Sequence, residues 1–343
     1  MNAPIPADIR TLLIEMPSWV GDTAMATPVL RLAREACPNA RIVGLMRPGL
    51  DQLLAGLPWL DGIEAVNPRG IGGVLRTRRI YREIQPDASL LLPNSFRSAL
   101  AAALGRVPIR VGYRRDGRGA LLTHAFDPGS RPRPWSTIQH YLELASYAFG
   151  RTVSDPELHL CVTPEEAVAA ERILKDVPTP FILLNPGGNR VDKRWPADRF
   201  SQLAESIIHE LGHGVVLNGA PAESGLLEQI ASQCSAPVIR LSERGLNLGS
   251  LKAVIAQATL VITNDTGPRH LAAALDRPLI SLFGPTDHRW TILEGTRERR
   301  LLAEPFLEAS LVADDHPASC AIERIPLSDV MHAVRATLDQ SAD

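Results

Sequence analysis

The chain has 343 residues, of which 45% are hydrophobic and 22% charged, and its net charge is only −2. That length exceeds what one core usually holds and predicts two domains of roughly 150 to 170 residues, while no run approaches the ~18 apolar residues of a membrane span. The start, Met1 to Arg10, lacks a basic region followed by an apolar core, so no secretory signal is expected and the protein is expected in the cytoplasm.

Cys37, Cys161, Cys234 and Cys320 have no paired spacing, which argues against a disulfide framework or a zinc site. The charge is unevenly divided. Residues 1 to 160 hold 19 Arg and no Lys against 14 Asp and Glu, a balance of +5 that leaves −7 for the remainder. The densest basic run is Arg106, Arg110, Arg114, Arg115, Arg118, Arg131 and Arg133; it either faces an acidic partner or is a solvated loop.

In chain order, Thr11 to Met16 is a short apolar strand, broken by Pro17-Ser-Trp-Val-Gly21 before a helix from about Thr23 to Ala36. Asp22 stands at the mouth of that helix. It is either an N-cap or a general base at the carboxyl edge of a parallel sheet, where open α/β folds keep their ligands. Strands at Ala40 to Met46, Ile63 to Val66, Ala88 to Leu92 and Ile109 to Gly112 alternate with helices at Val74 to Ile84 and Phe96 to Leu104. This alternation predicts an α/β fold, a parallel sheet with helices on both faces. After a helix from about Ile138 to Phe149, Gly150-Arg-Thr-Val-Ser-Asp-Pro156 approaches a domain boundary near residue 160.

The second half, residues 161 to 325, repeats the scheme. Strands are expected at Phe181 to Asn185, Gly214 to Leu217 and Leu279 to Phe283, and helices at Ala197 to Leu211, Ala222 to Cys234 and Leu248 to Gln257. Two Rossmann-like halves in succession are expected to leave a cleft between them, with a last helix, Leu327 to Leu338 within residues 326 to 343, long enough to pack back on the first domain. Neither Gly70-Ile-Gly-Gly73 nor Gly219 to Gly225 has G-x-G-x-x-G spacing, so the dehydrogenase reading is weak.

The most informative stretch is Leu260-Val-Ile-Thr-Asn-Asp-Thr-Gly-Pro-Arg-His-Leu-Ala-Ala-Ala-Leu275, a buried strand, a polar turn and a small-residue helix. Asp265 and Thr266 sit where an N-cap belongs, Gly267 lets backbone approach a ligand, Pro268 suits the first turn, and His270 follows one turn on. Such a helix start is either ordinarily capped or a phosphate site. A second polar loop, Asn185 to Pro196, carries Gly187, Gly188, Asn189 and Lys193. Only three lysines occur, so Lys193 in a glycine-rich loop suggests a point charge for a diphosphate, against the alternative of a solvated residue. Glu223 lies where a Rossmann-like half meets ribose hydroxyls, or simply starts a helix. His270 has no second His or Cys at metal-ligand spacing, and no metal is expected there.

These pieces together resemble the lipopolysaccharide heptosyltransferases of glycosyltransferase family 9, its type II members more than type I. The likeness runs nearly end to end. Pro17-Ser-Trp-Val-Gly-Asp22 and Leu92-Pro-Asn-Ser-Phe-Arg-Ser-Ala-Leu100 match stretches typical of type II, and Lys193-Arg-Trp-Pro196 and Asn264-Asp-Thr-Gly-Pro-Arg-His270 match the family's donor-site motifs. The chain departs from the family pattern at Pro268-Arg269, where many relatives have Ser, Leu or Met, and in having only Cys320 of a cysteine-rich C-terminal segment.

The resemblance implies the GT-B fold of two Rossmann-like domains, with an acceptor-binding first domain and a nucleotide-sugar-binding second. It implies ADP-L-glycero-D-manno-heptose as donor and the anionic inner core on lipid A as acceptor, with no cofactor and no nucleic acid. It makes Asp22 the catalytic base and Lys193 a contact to the donor diphosphate. It places Gly188, Asn189, Glu223, Asp265, Thr266, Gly267 and His270 about the donor, and Asn94, Ser95, Arg97 and Arg114 about the acceptor. The expected location is cytoplasmic, peripheral at the inner face of the inner membrane, where the basic first half suits an anionic acceptor. Two rivals stand beside this: a sugar-nucleotide epimerase of the same build, and a non-catalytic nucleotide-sugar-binding module.

Overall fold

A computed structural model describes residues 3–152, 155–303, 307–308 and 310–340. Val153 and Ser154, in the stretch expected to approach the boundary, and the last three residues of the C-terminal segment lie outside the described residues. The chain divides into two units, residues 1–161 and 162–343.

The first unit is built on six parallel strands: β1 (Thr11–Glu15), β2 (Arg41–Met46), β3 (Gly62–Ala65), β4 (Ala88–Leu91), β5 (Ile109–Tyr113) and β6 (His124–Phe126). Their order is β3-β2-β1-β4-β5-β6, with Leu13 opposite Val43 on one side and Ser89 on the other. The central strands are near-continuous apolar runs because both faces of a parallel sheet are covered. Leu13, Leu45 and Leu91 pack beneath the helices Gly70–Ile84 and Phe96–Leu104, joined by Val74, Tyr81, Ala99 and Ala102.

The single helix expected from Thr23 to Ala36 is instead two, Val20–Met25 and Thr27–Ala36, separated at Ala26. Pro28 causes the break: it lacks an N–H and its ring conflicts with the carbonyl four residues back. Thr27 Oγ1 takes up the Ala24 carbonyl at 2.7 Å instead.

The second unit repeats the topology with β7 (Phe181–Asn185), β8 (Gly214–Leu217), β9 (Ile239–Arg240), β10 (Leu260–Asn264), β11 (Leu279–Phe283) and β12 (Glu298–Leu302). The order β12-β11-β10-β7-β8-β9 is again the doubly wound one, all parallel. The C-terminal helix Leu327–Asp339, long enough to pack back on the first domain, contributes to the core of this unit. Its buried Val330, Ala333 and Val334 join Phe200, Leu203 and Ile207 of the helix Ala197–Leu211 in one cluster, which gives its apolar stripe a home within its own unit.

In each unit the strand order reverses between two neighbours, β1 and β4 in the first and β7 and β10 in the second. At such a switch point the loops leaving the carboxyl ends diverge and open a crevice, the usual ligand position in open α/β sheets.

Candidate active site

In the first unit, the loop leaving β1 delivers Asp22. Trp19 occupies the N-cap position of Val20–Met25 and no side chain caps that helix, so Asp22 is not the N-cap allowed by the sequence. Its carboxylate is half-buried and accepts a hydrogen bond from the buried hydroxyl of Tyr141, on the helix Thr137–Phe149. Burial raises the Asp22 pKa above the ordinary aspartate value, and the Tyr141 hydrogen bond partly offsets that rise. Among the described residues no Lys, Arg or His forms an ion pair with it.

Of the expected acceptor residues, Asn94 and Ser95 are in the loop leaving β4, Arg97 is on the helix Phe96–Leu104 and Arg114 follows β5. Asn94 Oδ1 accepts from the Arg118 guanidinium at 3.1 Å, and its Nδ2 lies 3.3 Å from His140 Nε2. Burial, helped by Arg115 and Arg118, pushes the His140 pKa down to about 4, so the neutral ring accepts from Asn94. That ring stacks on Tyr113 with centroids 4.0 Å apart. Ser95 spends its hydroxyl capping Phe96–Leu104, accepting from Ser98 N at 3.2 Å. Arg97 and Arg114 are exposed at the same edge.

Arg118 corrects the solvated-loop alternative for its part of the basic run. It is fully buried, donating to the carbonyls of Tyr113 and Pro93, to Ser98 Oγ and to Asn94. It ties the end of β5 to the loop after β4.

In the second unit, three asparagines assigned no individual role from the sequence hold the switch point. Asn218, just past β8, donates to Asn185 Oδ1 at 2.6 Å; Asn185 Nδ2 in turn donates to Thr263 and Thr266, at 3.2 and 3.0 Å. Asn264 Nδ2 donates to the carbonyls of Pro186 and Gly187, and its Oδ1 accepts from Trp195 N. The three are 4% exposed or less, and such a network fixes loops because an unpaired buried amide is costly. A signal existed in the sequence: an asparagine stands at or just past the end of an otherwise apolar strand three times, at β7, β8 and β10.

Thr266 is the N-cap residue of Gly267–Ala274, yet its hydroxyl is engaged by Asn185 and Thr263 and does not cap the helix. Pro268 has no N–H and Arg269 N bonds the Thr266 carbonyl at 3.1 Å, but the N-cap side chain makes no capping bond, and that end keeps the partial positive charge of a helix start, which attracts anions. Asp265 lies 3.4 Å from Lys193 Nζ and 3.4 Å from the Arg269 guanidinium. Burial would raise the Asp265 pKa, but Arg269 and Lys193 outweigh it and keep the carboxylate ionised. His270 is 5% exposed with Nδ1 unpartnered, and burial, then the neighbouring Arg269 charge, pushes its pKa down to about 4. It is a neutral imidazole near pH 7, a hydrogen-bonding group rather than a cation.

Glu223 braces the glycine loop. Oε1 accepts from Gly188 N at 2.7 Å and Oε2 from Ala220 N at 2.8 Å, with Arg194 3.9 Å away. A Cβ at Gly187 would sit 2.2 Å from Glu223 Oε2, so only glycine admits this contact. The Gly188 N–H is therefore directed at Glu223, while Asn189 is exposed beyond it.

Two doubly wound sheets in succession, with the predicted polar groups gathered at the carboxyl-edge switch point of each, are the architecture of the GT-B glycosyltransferases. The family model for glycosyltransferase family 9 (heptosyltransferase) matches residues 74–304. The chain is 32% identical over 303 residues to lipopolysaccharide heptosyltransferase 2 of Salmonella typhimurium, covering 82% of this chain and 84% of that one. It is 34% identical over 332 residues to a lipopolysaccharide heptosyltransferase 3 of Escherichia coli, covering 94% and 97%. Among solved structures, that of E. coli ADP-heptose LPS heptosyltransferase II superposes with a TM-score of 0.83 at 26% identity, covering 97% of this chain and 100% of that one. The chain belongs to glycosyltransferase family 9 and is a glycosyltransferase of the heptosyltransferase type.

Proposed function

We propose that this chain moves heptose from ADP-L-glycero-D-manno-heptose to the inner core of lipopolysaccharide, with inversion at the anomeric carbon. Asp22 carries the proposal: a half-buried carboxylate with no ion-pairing cation beside it among the described residues, raised above the ordinary aspartate range, at the switch point of the first sheet. In one displacement an acceptor hydroxyl gives its proton to Asp22 while its oxygen bonds the anomeric carbon. The bond from that carbon to the diphosphate breaks, and ADP departs with the electron pair. Transfer requires the oxygen activated by Asp22 to reach the sugar whose diphosphate the second unit holds.

In that second unit, Lys193 and the open start of Gly267–Ala274 oppose the charge that grows on the leaving diphosphate. The neutral His270 contributes a hydrogen bond. Gly188, Asn189 and Glu223 shape the loop over the nucleotide, and Asn94, Ser95, Arg97 and Arg114 line the acceptor side, the two arginines suiting its anionic groups. Among the described residues no helix is long and apolar enough to cross a membrane. We place the enzyme in the cytoplasm, peripheral at the inner membrane, where a lipid-anchored acceptor is made. Family membership favours transfer over the epimerase and binding-module readings.

The decisive assay incubates the protein with ADP-heptose and a panel of truncated inner-core acceptors, following ADP release and product mass. A new product from the nucleotide sugar alone, or no ADP with any acceptor, overturns the proposal. Lys193→Ala is expected to weaken ADP binding by roughly tenfold, the size of one charge-assisted contact to phosphate, and to slow turnover as well. Unchanged ADP affinity and rate would remove Lys193 from the phosphate. Tyr141→Phe tests the tuning of the base. Tyr141 stabilises the ionised carboxylate, so its loss raises the Asp22 pKa and moves the acidic limb of the kcat/KM profile to higher pH, with the plateau largely kept. An unmoved limb would separate Tyr141 from the titrating group.

A further inference from the structure

On the helix Gly70–Ile84 the residues Ile71, Leu75, Arg78 and Arg82 follow one another at spacings of four, three and four, which places them in one stripe along the helix. With Ala103, Leu104 and Arg106, the Leu75, Arg78 and Arg82 part of that stripe lines an open groove of about 430 Å³. Its apolar members are turned outward: Ile71 is 85% exposed, Leu75 54% and Leu104 43%. Its three arginines are gathered without an acid. Arg78 and Arg82 share the Leu104 carbonyl, and among the described residues none of the three forms an ion pair with a carboxylate. The Arg82 guanidinium is held below its usual pKa, by partial desolvation first and then by Arg78 and Arg106.

We propose that this stripe docks the enzyme on a bilayer rich in anionic phospholipid, with Ile71, Leu75 and Leu104 entering the headgroup boundary and Arg78, Arg82 and Arg106 meeting the phosphates. Charge complementarity selects the partner's sign, and the exposed aliphatic tips select its kind. A nucleic acid or an acidic protein tail would satisfy the arginines but would leave Ile71 in water, whereas a membrane surface satisfies both. The stripe runs the length of Gly70–Ile84, from Ile71 at the carboxyl edge of the sheet to Arg82, Leu104 and Arg106 at the amino edge, beside the starts of β4 and β5. The purpose of the docking rests on the transferase reading; the docking itself does not.

The test is co-sedimentation of the whole chain with vesicles of phosphatidylglycerol and phosphatidylcholine, against vesicles of phosphatidylcholine alone. Binding is expected only to the anionic vesicles, falling with added salt. Changing Arg78, Arg82 and Arg106 together to Gln should weaken it on the order of 10²-fold, about fivefold per arginine. Ile71→Asp with Leu75→Asp alters side chains already in water, so folding is preserved, and should also weaken binding although every arginine remains. Equal binding to both vesicle types, or no binding by the unaltered protein, overturns the proposal. So does an Ile71→Asp, Leu75→Asp variant that binds as tightly as the parent, which would leave only a site for any polyanion. Turnover with a soluble, delipidated inner-core acceptor should be the same in all variants. Loss of that turnover in the parent would overturn the transferase reading while vesicle binding stands or falls separately.

Discussion

Asp22→Asn is expected to lower turnover by about 10²-fold or more, the size of a general-base contribution, while the protein keeps its affinity for ADP. The two halves of this expectation come from different units. The amide matches the carboxylate in shape and can still accept from Tyr141, so the local hydrogen bond and the helix Val20–Met25 survive the change. What is lost is the capacity to take a proton. The groups proposed for the diphosphate, Lys193 and the start of Gly267–Ala274, all belong to the second unit and bond within it. The unaltered enzyme should lose activity as pH falls through an Asp22 pKa lying above the usual 3.8, because protonation removes the base. ADP release at saturating substrates gives the rate, and titration calorimetry gives the ADP affinity. Near-parental turnover in the variant would exclude Asp22 as the base.

The interior of the fold was legible because the chain states it in period and punctuation. Phe96–Leu104, Ala197–Leu211 and Leu248–Gln257 fall where the apolar spacing put them, and β7, β8 and β11 fall on their apolar runs. The strands that escaped are β6, β9 and β12, three of the four outer strands, of three, two and five residues. An edge strand pairs on one side only, so it needs no unbroken apolar run. The sequence of β12, Glu-Arg-Arg-Leu-Leu, gives no strand signal at all. Site residues divide the same way. Asp22, Lys193 and Asp265 were visible because a charged residue in a turn after an apolar strand is conspicuous. Tyr141 lies in the middle of a helix, and the partners of Arg118 and Asn218 are 24 and 33 residues away in the chain, so no local pattern announces them.

Arg269→Met is expected to cost the second unit about 3 to 5 kcal/mol, the usual consequence of removing one partner from a buried charge pair. Arg269 and Glu298 are 0% and 2% exposed, and the guanidinium meets Glu298 at two points, Nε to Oε1 at 2.6 Å and a terminal nitrogen to Oε2 at 3.0 Å. That terminal nitrogen also donates to the Thr291 carbonyl at 2.8 Å, the other one donates to Thr291 Oγ1 at 2.7 Å, and the guanidinium carbon lies 4.7 Å from the Phe283 ring centroid. Met is an unbranched side chain that can follow the path of the Arg269 stem, so the loss is one of charge and hydrogen bonds. Glu298 would keep Ser281 and the more distant Arg300, too little to hold a buried carboxylate ionised. Changing Glu298 to Gln in the same protein removes the stranded charge and should restore most of the stability. The acid dependence separates charge from packing. Burial opposes ionisation of Asp265 and Glu298, but Arg269 lowers both pKa values, so the stability they contribute is present above the ordinary carboxylate range and lost as pH falls through their depressed values. The double variant should lose part of that acid sensitivity, and denaturant unfolding at pH 7 and at about pH 2.5, below the ordinary carboxylate range, measures both effects. Function should respond through Asp265. With Arg269 gone, Lys193 becomes its sole close cation, binds it more tightly and is less available to a diphosphate, so the refolded double variant should bind ADP more weakly than the parent. A single variant that unfolds within 1 kcal/mol of the parent and binds ADP equally well would show that the Glu298–Arg269–Asp265–Lys193 chain neither stabilises the unit nor tunes its site.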